Sequence, residues 1–341
     1  MTPERFGLRA IGLAIGGPGL PLGDALALAR DAEDAGLELL GAGDGFVENL
    51  SVMGALAAST RSAELFTAIM GWTRTPVTMA LGGLTMQELS GGRYRMGFGT
   101  MPRPWSEGWH DVEAARPLAR MRDFVAAVRA ASPSALGAPC SYSGDFYRFD
   151  GYERPSPTVL DPPPIYLAAT RPRMAELAAE IADGVIFNLI NSPEWISGVC
   201  WNGVEAGLAR AGRSRADFDA GILLYCAIAE DRRRAIEMVR PALAFYFAVP
   251  YFAAMLEHHG MDAELRAGRE AAARGDRAAM AAAVSDEMVR TFALAGTPDD
   301  VREQIRRYGE RLDWVMLAAP LMNAPDDSRE LVRRIIDTFA P

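Results

Sequence analysis

The chain has 341 residues, half of them apolar and 23% charged, enough for one large α/β barrel or two smaller globular domains. Its formal net charge of −9 argues against a nucleic-acid partner or an anionic membrane surface. All 35 basic residues are arginine, which leaves no Schiff-base lysine and no phosphate-loop lysine for the chemistry.

At the N-terminus, Arg5 and Arg9 precede the apolar run Ala10-Ile11-Gly12-Leu13-Ala14-Ile15. No small-residue cleavage site follows, and Gly16-Gly17-Pro18-Gly19 reads as a loop, so the run is expected to be a first strand and not a signal peptide. Further strands are expected at Leu37–Ala42, Leu65–Met70, Tyr94–Phe98, Ile165–Ala169, Val185–Leu189, Gly221–Ile228 and Trp314–Leu317, the first running Gly7–Ile15. Segments of helical periodicity lie between them, among them Leu22–Ala35, Pro76–Leu89, Ala114–Ala131 and Met174–Ile181. Eight strands alternating with helices predict an α/β chain folded as a single (β/α)8 TIM barrel over residues 1–341. A doubly wound sheet is the competing architecture.

Two stretches depart from a plain barrel. Ser132 to Pro164 is rich in Pro, Gly, Ser and Tyr, and its alternating aromatic residues suggest an excursion with a small hairpin. Arg240 to Arg290 reads as an alanine-rich helical insertion before the last βα unit. Within it, the apolar stretch Pro241 to Leu256 is short of a membrane span and is broken by Pro250. Cys140, Cys200 and Cys226 are odd in number with no C-x-x-C, which suits a cytoplasmic location. His110, His258 and His259 lack metal-ligand spacing, so no metal centre is expected.

In a barrel of this kind, function collects where strands end. Those ends carry Asp44, Gly71-Trp72-Thr73, Gly99-Thr100-Met101-Pro102, Ala169-Thr170-Arg171, Asn188 to Asn191, and Tyr225 to Ala227. The set is poor in proton-transfer groups and suits a bound aromatic cofactor that performs the reaction while the protein supplies shape. Gly97-x-Gly99 is half a dinucleotide fingerprint, but the third glycine is absent and Pro102-Arg103-Pro104-Trp105 is not expected to open a helix. No G-x-S-x-G elbow is present. The stretch Pro162 to Asn188 is one β-loop-α-β unit: strand, Thr170-Arg171-Pro172, helix, then Val185-Ile186-Phe187. Proline suits the first helical position, and the free N–H groups of that turn with Arg171 and Arg173 compose an anion site. An ordinary βαβ unit with two solvated arginines is the plainer reading of the same residues.

Ordered segments extend this. Ala32-Glu33-Asp34-Ala35-Gly36 through Gly43-Asp44, Leu89-Ser90-Gly91-Gly92-Arg93 through Gly97-Phe98-Gly99, Pro164 to Ala169, Ala182 to Ile186, and Ala295-Gly296-Thr297-Pro298-Asp299 run in sequence along the chain. Together they resemble the bacterial luciferase-like superfamily of flavin- and deazaflavin-dependent oxidoreductases, nearest its coenzyme F420-dependent methylenetetrahydromethanopterin reductase branch. The resemblance implies hydride transfer from a reduced deazaflavin to a C=N or C=C of a small organic substrate, with FMN as the alternative cofactor. It implies cofactor contacts at Asp44, Gly71, Trp72, Thr73, Thr100, Ala169, Thr170, Arg171 and Asn188, with a non-prolyl cis peptide expected at Gly71-Trp72. Asp44, Glu48 and His110 are its candidates for handling protons. The family's histidine after the acidic residue is Gly45 here, and Pro102 stands where the sugar-phosphate dehydrogenase branch has glutamate. An FMN-dependent monooxygenase and a non-catalytic flavin-binding barrel remain as alternatives. A homodimer or higher homo-oligomer is expected.

Overall fold

The computed structural model describes residues 5–45, 47–132, 139–154, 161–322 and 327–341. In chain order its strands are β1 (Ala10–Ala14), β2 (Leu39–Ala42), β3 (Glu64–Thr67), β4 (Met70–Gly71), β5 (Tyr94–Gly99), β6 (Cys140–Ser143), β7 (Arg148–Tyr152), β8 (Ile165–Ala169), β9 (Gly184–Phe187), β10 (Asp219–Ile228), β11 (Ala293–Gly296) and β12 (Trp314–Ala318). Helices alternate with the parallel strands, and the fold class is the (β/α)8 TIM barrel.

Two compact units are distinguished along the chain. One comprises Met1–Leu40, Phe187–Val199 and Ala220–Pro341. Its parallel strands run β11-β10-β12-β1. The long strand β10 pairs with β12 through Gly221–Tyr225 and with β11 through Tyr225–Ile228. The other unit comprises Gly41–Ile186 and Cys200–Asp219 and carries β3, β5 and β8 in parallel order, with β4 also beside β5. Strand interiors are apolar on both sides, as parallel strands covered by helices require: Leu65, Phe66, Phe98, Leu167 and Val315 are all buried.

Local chemistry sets the helix ends. Thr75 Oγ1 accepts from Thr78 N–H at 3.3 Å and Pro76 opens Pro76–Ser90, which Gly91 ends in the left-handed conformation at φ +65°. Pro172 opens Pro172–Ile181 in the same way, two residues before the expected start.

The structure alters four expectations. The third strand is not continuous: β3 stops at Thr67 and β4 resumes at Met70. The non-prolyl cis peptide lies in that break, at Ala68–Ile69, and not at Gly71-Trp72. Ala68 N–H donates to Ala42 O at 2.7 Å and Asp44 N–H to Ile69 O at 2.9 Å, so the break is laced to the segment after β2. Pro102-Arg103-Pro104-Trp105 does open a helix, Arg103–His110, because Pro104 falls in its first turn, where a missing N–H is harmless. Finally, a further strand, β11, follows the inserted helices; its four small or aliphatic residues carry too little periodicity to be seen in sequence.

The helical insertion holds Asp262–Ala273, Arg277–Ala282 and Asp286–Phe292 among its elements. The hairpin β6–β7 sits inside the Ser132 to Pro164 excursion, whose residues 133–138 and 155–160 lie outside the described ones. Asp123 pins the hairpin to the helix Pro117–Ala130, accepting from Phe146 and Tyr147 N–H at 2.7 and 3.0 Å. Among the described residues no single helix is long and apolar enough to cross a membrane.

Candidate active site

Asp44, just past β2, accepts hydrogen bonds from three directions. Gly71 N–H reaches its Oδ2 at 3.1 Å and Asn49 N–H its Oδ1 at 3.4 Å. Arg74 clamps it bidentately, Nη1 to Oδ2 at 2.6 Å and Nη2 to Oδ1 at 3.1 Å. The two side chains are 10% and 21% exposed, which favours the pair over a solvated surface bridge. Arg74 Nη2 also donates to Glu48 Oε1 at 2.6 Å. Glu48 caps the helix Asn49–Ser59, accepting from Ser51 N–H at 2.8 Å and Ser51 Oγ at 2.7 Å. Burial pushes the Glu48 carboxyl up, but the Ser51 bonds and the Arg74 guanidinium outweigh it and hold it below the ordinary carboxylate value. The Asp44 carboxylate in turn raises Arg74.

Sequence reasoning brought Asp44, Glu48 and Gly71 to this place and missed Arg74. The signal was there in retrospect: two carboxylates beside one strand end require a counter-charge, and Arg74 is the cation closest in sequence to Gly71. Trp72 is 1% exposed and turns its indole inward, donating from Nε1 to Ser106 Oγ at 3.2 Å. Thr73 and Thr100 are half-buried at the ends of β4 and β5. His110 is exposed at the last turn of Arg103–His110 and makes no hydrogen bond to the carboxylates among the described residues.

After β8, Ala169 is buried, Thr170 half-buried and Arg171 exposed. Arg171 holds the N-cap position of Pro172–Ile181 in extended conformation with no side-chain cap. Met174 and Ala175 N–H groups both reach Arg171 O at 3.2 Å. Among the described residues, neither Arg171 nor the exposed Arg173 makes an ion pair, in a protein where many arginines do. Two uncommitted cations beside an uncapped helix start fit a phosphate.

The turn is also rigidly placed. The helix Trp201–Ala211 lies so close to Pro172–Ile181 that a Cβ on Gly203 would meet Pro172 O at 2.4 Å, and one on Gly207 would meet Glu176 O at 2.1 Å. Only glycine permits that approach.

In the other unit, Asn188 follows β9; its N–H donates to Asn191 Oδ1 at 3.0 Å, while its own Oδ1 is buried without a partner among the described residues. Nearby in the same unit is a pair that sequence reasoning did not anticipate. Ser192 Oγ and His259 Nε2 lie 2.8 Å apart, and Ser192 also caps Trp195 N–H at 3.0 Å. Burial, with repulsion from His258, pushes the His259 imidazole below its ordinary value.

The clamped carboxylate cluster after β2 and the helix start after β8 that Arg171 and Arg173 flank both lie at strand ends, where function collects in a (β/α)8 barrel. Residues 6–313 match the model of the luciferase-like monooxygenase family, and the chain belongs to that family. It is 32% identical over 283 residues to the 5,10-methylenetetrahydromethanopterin reductase of Archaeoglobus fulgidus, covering 80% of this chain and 82% of the relative. Its fold is similar to that of the coenzyme F420-dependent tetrahydromethanopterin reductase from Methanopyrus kandleri, with a TM-score of 0.81 at 23% identity over 97% of this chain and 99% of that one. A monooxygenase from Streptomyces bottropensis shares the fold with a TM-score of 0.68 at 22% identity, over 97% and 98% of the two chains.

Proposed function

We propose that the protein is a coenzyme F420-dependent oxidoreductase that passes a hydride from reduced deazaflavin to a C=N or C=C of a small organic substrate. The observation that carries this reading is the uncapped helix start at Pro172, flanked by Arg171 and Arg173, which make no ion pair among the described residues, a set of groups suited to an anion at a strand end. Its support from relatives is the reductase of Archaeoglobus fulgidus. The reduced deazaflavin supplies the hydride.

The chain's own residues hold and orient. The Arg171 and Arg173 guanidinium groups, with the Arg173 N–H of the first turn, grip phosphate. Arg74 bonds both Asp44 and Glu48, and Asp44 accepts from Gly71 N–H, so the segments after β2 and β4 are tied together. With its oxygens engaged by Arg74, Gly71 and Asn49, Asp44 positions; it does not deliver a proton.

The test is anaerobic oxidation of reduced F420 followed by its absorbance, with imines and activated alkenes offered as acceptors. Turnover with F420 and none with reduced FMN is the expected result. Tight FMN binding with oxygen consumption would overturn it in favour of an FMN monooxygenase, and binding without turnover in favour of a flavin-storage barrel.

A further inference from the structure

The short helix Arg103–His110 is fastened to the Asp44 cluster at two points. Ser106 Oγ accepts from Trp72 Nε1 at 3.2 Å and donates to Val112 O at 2.8 Å, which locks the middle of the helix onto the end of β4. Trp105 lies against Gly45, the residue after Asp44: a Cβ at Gly45 would come within 3.3 Å of the indole ring. Any larger residue at 45 would contest that space, and at φ +135° the position is in any case one for glycine. Trp109, one helical turn on, stacks upon Trp105 with centroids 4.6 Å apart and planes 13° apart.

This pair ends in the open. Trp109 is 61% exposed, the largest such fraction among the exposed large hydrophobic side chains described. A tryptophan buries about 150–250 Å² when covered, so the open indole offers on the order of 100 Å² of flat apolar surface. A stable protein–protein contact needs about 800 Å² per partner. The same turn carries Glu107, bonded to Arg103 at 2.9 Å, and the exposed His110, so among the described residues of this turn polar groups border the ring. One ring's worth of rigid π surface, continuous with the carboxylate cluster through Trp105 and Gly45, matches a flat small molecule and not a protein.

Resting on the oxidoreductase reading, we infer that Trp109, backed by Trp105, is a stacking platform that selects substrates bearing a planar aromatic ring. The platform sets specificity through stacking and takes no part in holding cofactor. The parallel, anchored geometry means that the ring surface exists before substrate arrives, so little ordering is needed on binding.

The probes are 2-naphthol and its saturated counterpart 2-decalol, titrated calorimetrically into the F420-loaded protein. Loading is measured first, by F420 fluorescence, in wild type, Trp109→Ala and Trp109→Phe. Equal F420 affinity in all three is expected and shows that the variants are folded. Wild type and Trp109→Phe should then bind 2-naphthol roughly 3- to 10-fold more tightly than Trp109→Ala does, the range of an aromatic pair, with 2-decalol affinity the same throughout. Loaded F420 with unchanged 2-naphthol affinity in Trp109→Ala would overturn the platform alone. Self-association in sedimentation that Trp109→Ala abolishes would also overturn it, assigning the face to a second copy. Failure of wild type to bind F420 would overturn the functional reading, and the platform with it.

Discussion

Arg74 is the residue on which the candidate site turns, because among the described residues it is the only cation bonded to both Asp44 and Glu48. Replacing Asp44 by alanine strips partners from Arg74, Gly71 N–H and Asn49 N–H at once. Left in a mostly buried place, those donors should lower stability by about 1–3 kcal/mol in urea unfolding; unchanged stability would show that the cluster is a surface ornament. Glu48 makes a pH prediction. Its folded carboxyl binds a proton less readily than in the unfolded chain, so its contribution is complete above the ordinary value of 4.5 and fades as pH falls through the lower folded value. Glu48→Gln should therefore flatten the acid limb of a stability–pH curve. His259 titrates higher. Folding disfavours its charged form, since burial and His258 outweigh Glu194 and Glu287, so stability should decline as pH drops below about 6.5, and the decline should vanish in His259→Gln. A decline that persists in that variant would assign the titration elsewhere.

At the scale of elements, the helix pair around Gly203 and Gly207 fixes the turn in which the proposed anion seat lies. Gly203→Ala sets a methyl against Pro172 O, in the turn of the proposed seat, whereas Gly207→Ala presses one turn deeper, on Glu176 O. Each should cost about 1–3 kcal/mol as an overpacked contact, read as a lowered denaturation midpoint. What sequence showed of such elements followed physical rules. Strands β8 and β9 and the helix between them were legible because proline, a β-branched run and a polar turn coincide there. The Gly203/Gly207 contact was not, since a glycine's use in close approach depends on the neighbour that comes near. The helix at Arg103 was misread for a related reason: two prolines in four residues look like a loop unless both fall at the helix entrance.

For the whole molecule, alternation of strands and helices made the barrel class readable, because each period needs only local sequence. The break at Ala68–Ile69 and the Arg74 clamp were not readable, being set by pairings across nearly thirty positions of chain, as in the Gly71–Asp44 bond with a separation of 27. Residues 6–313 belong to the luciferase-like family, and the proposed function adds to this that the turn after β8 seats the phosphate of a deazaflavin. The most direct measurement compares the dissociation constants of F420 and of its deazaflavin chromophore without the phosphate chain, in wild type and in Arg171→Ala. The account predicts that wild type prefers F420 and that Arg171→Ala loses about 1–3 kcal/mol of F420 affinity while holding the bare chromophore unchanged. Equal affinity of wild type for the two ligands, or an F420 affinity untouched by Arg171→Ala, would contradict it.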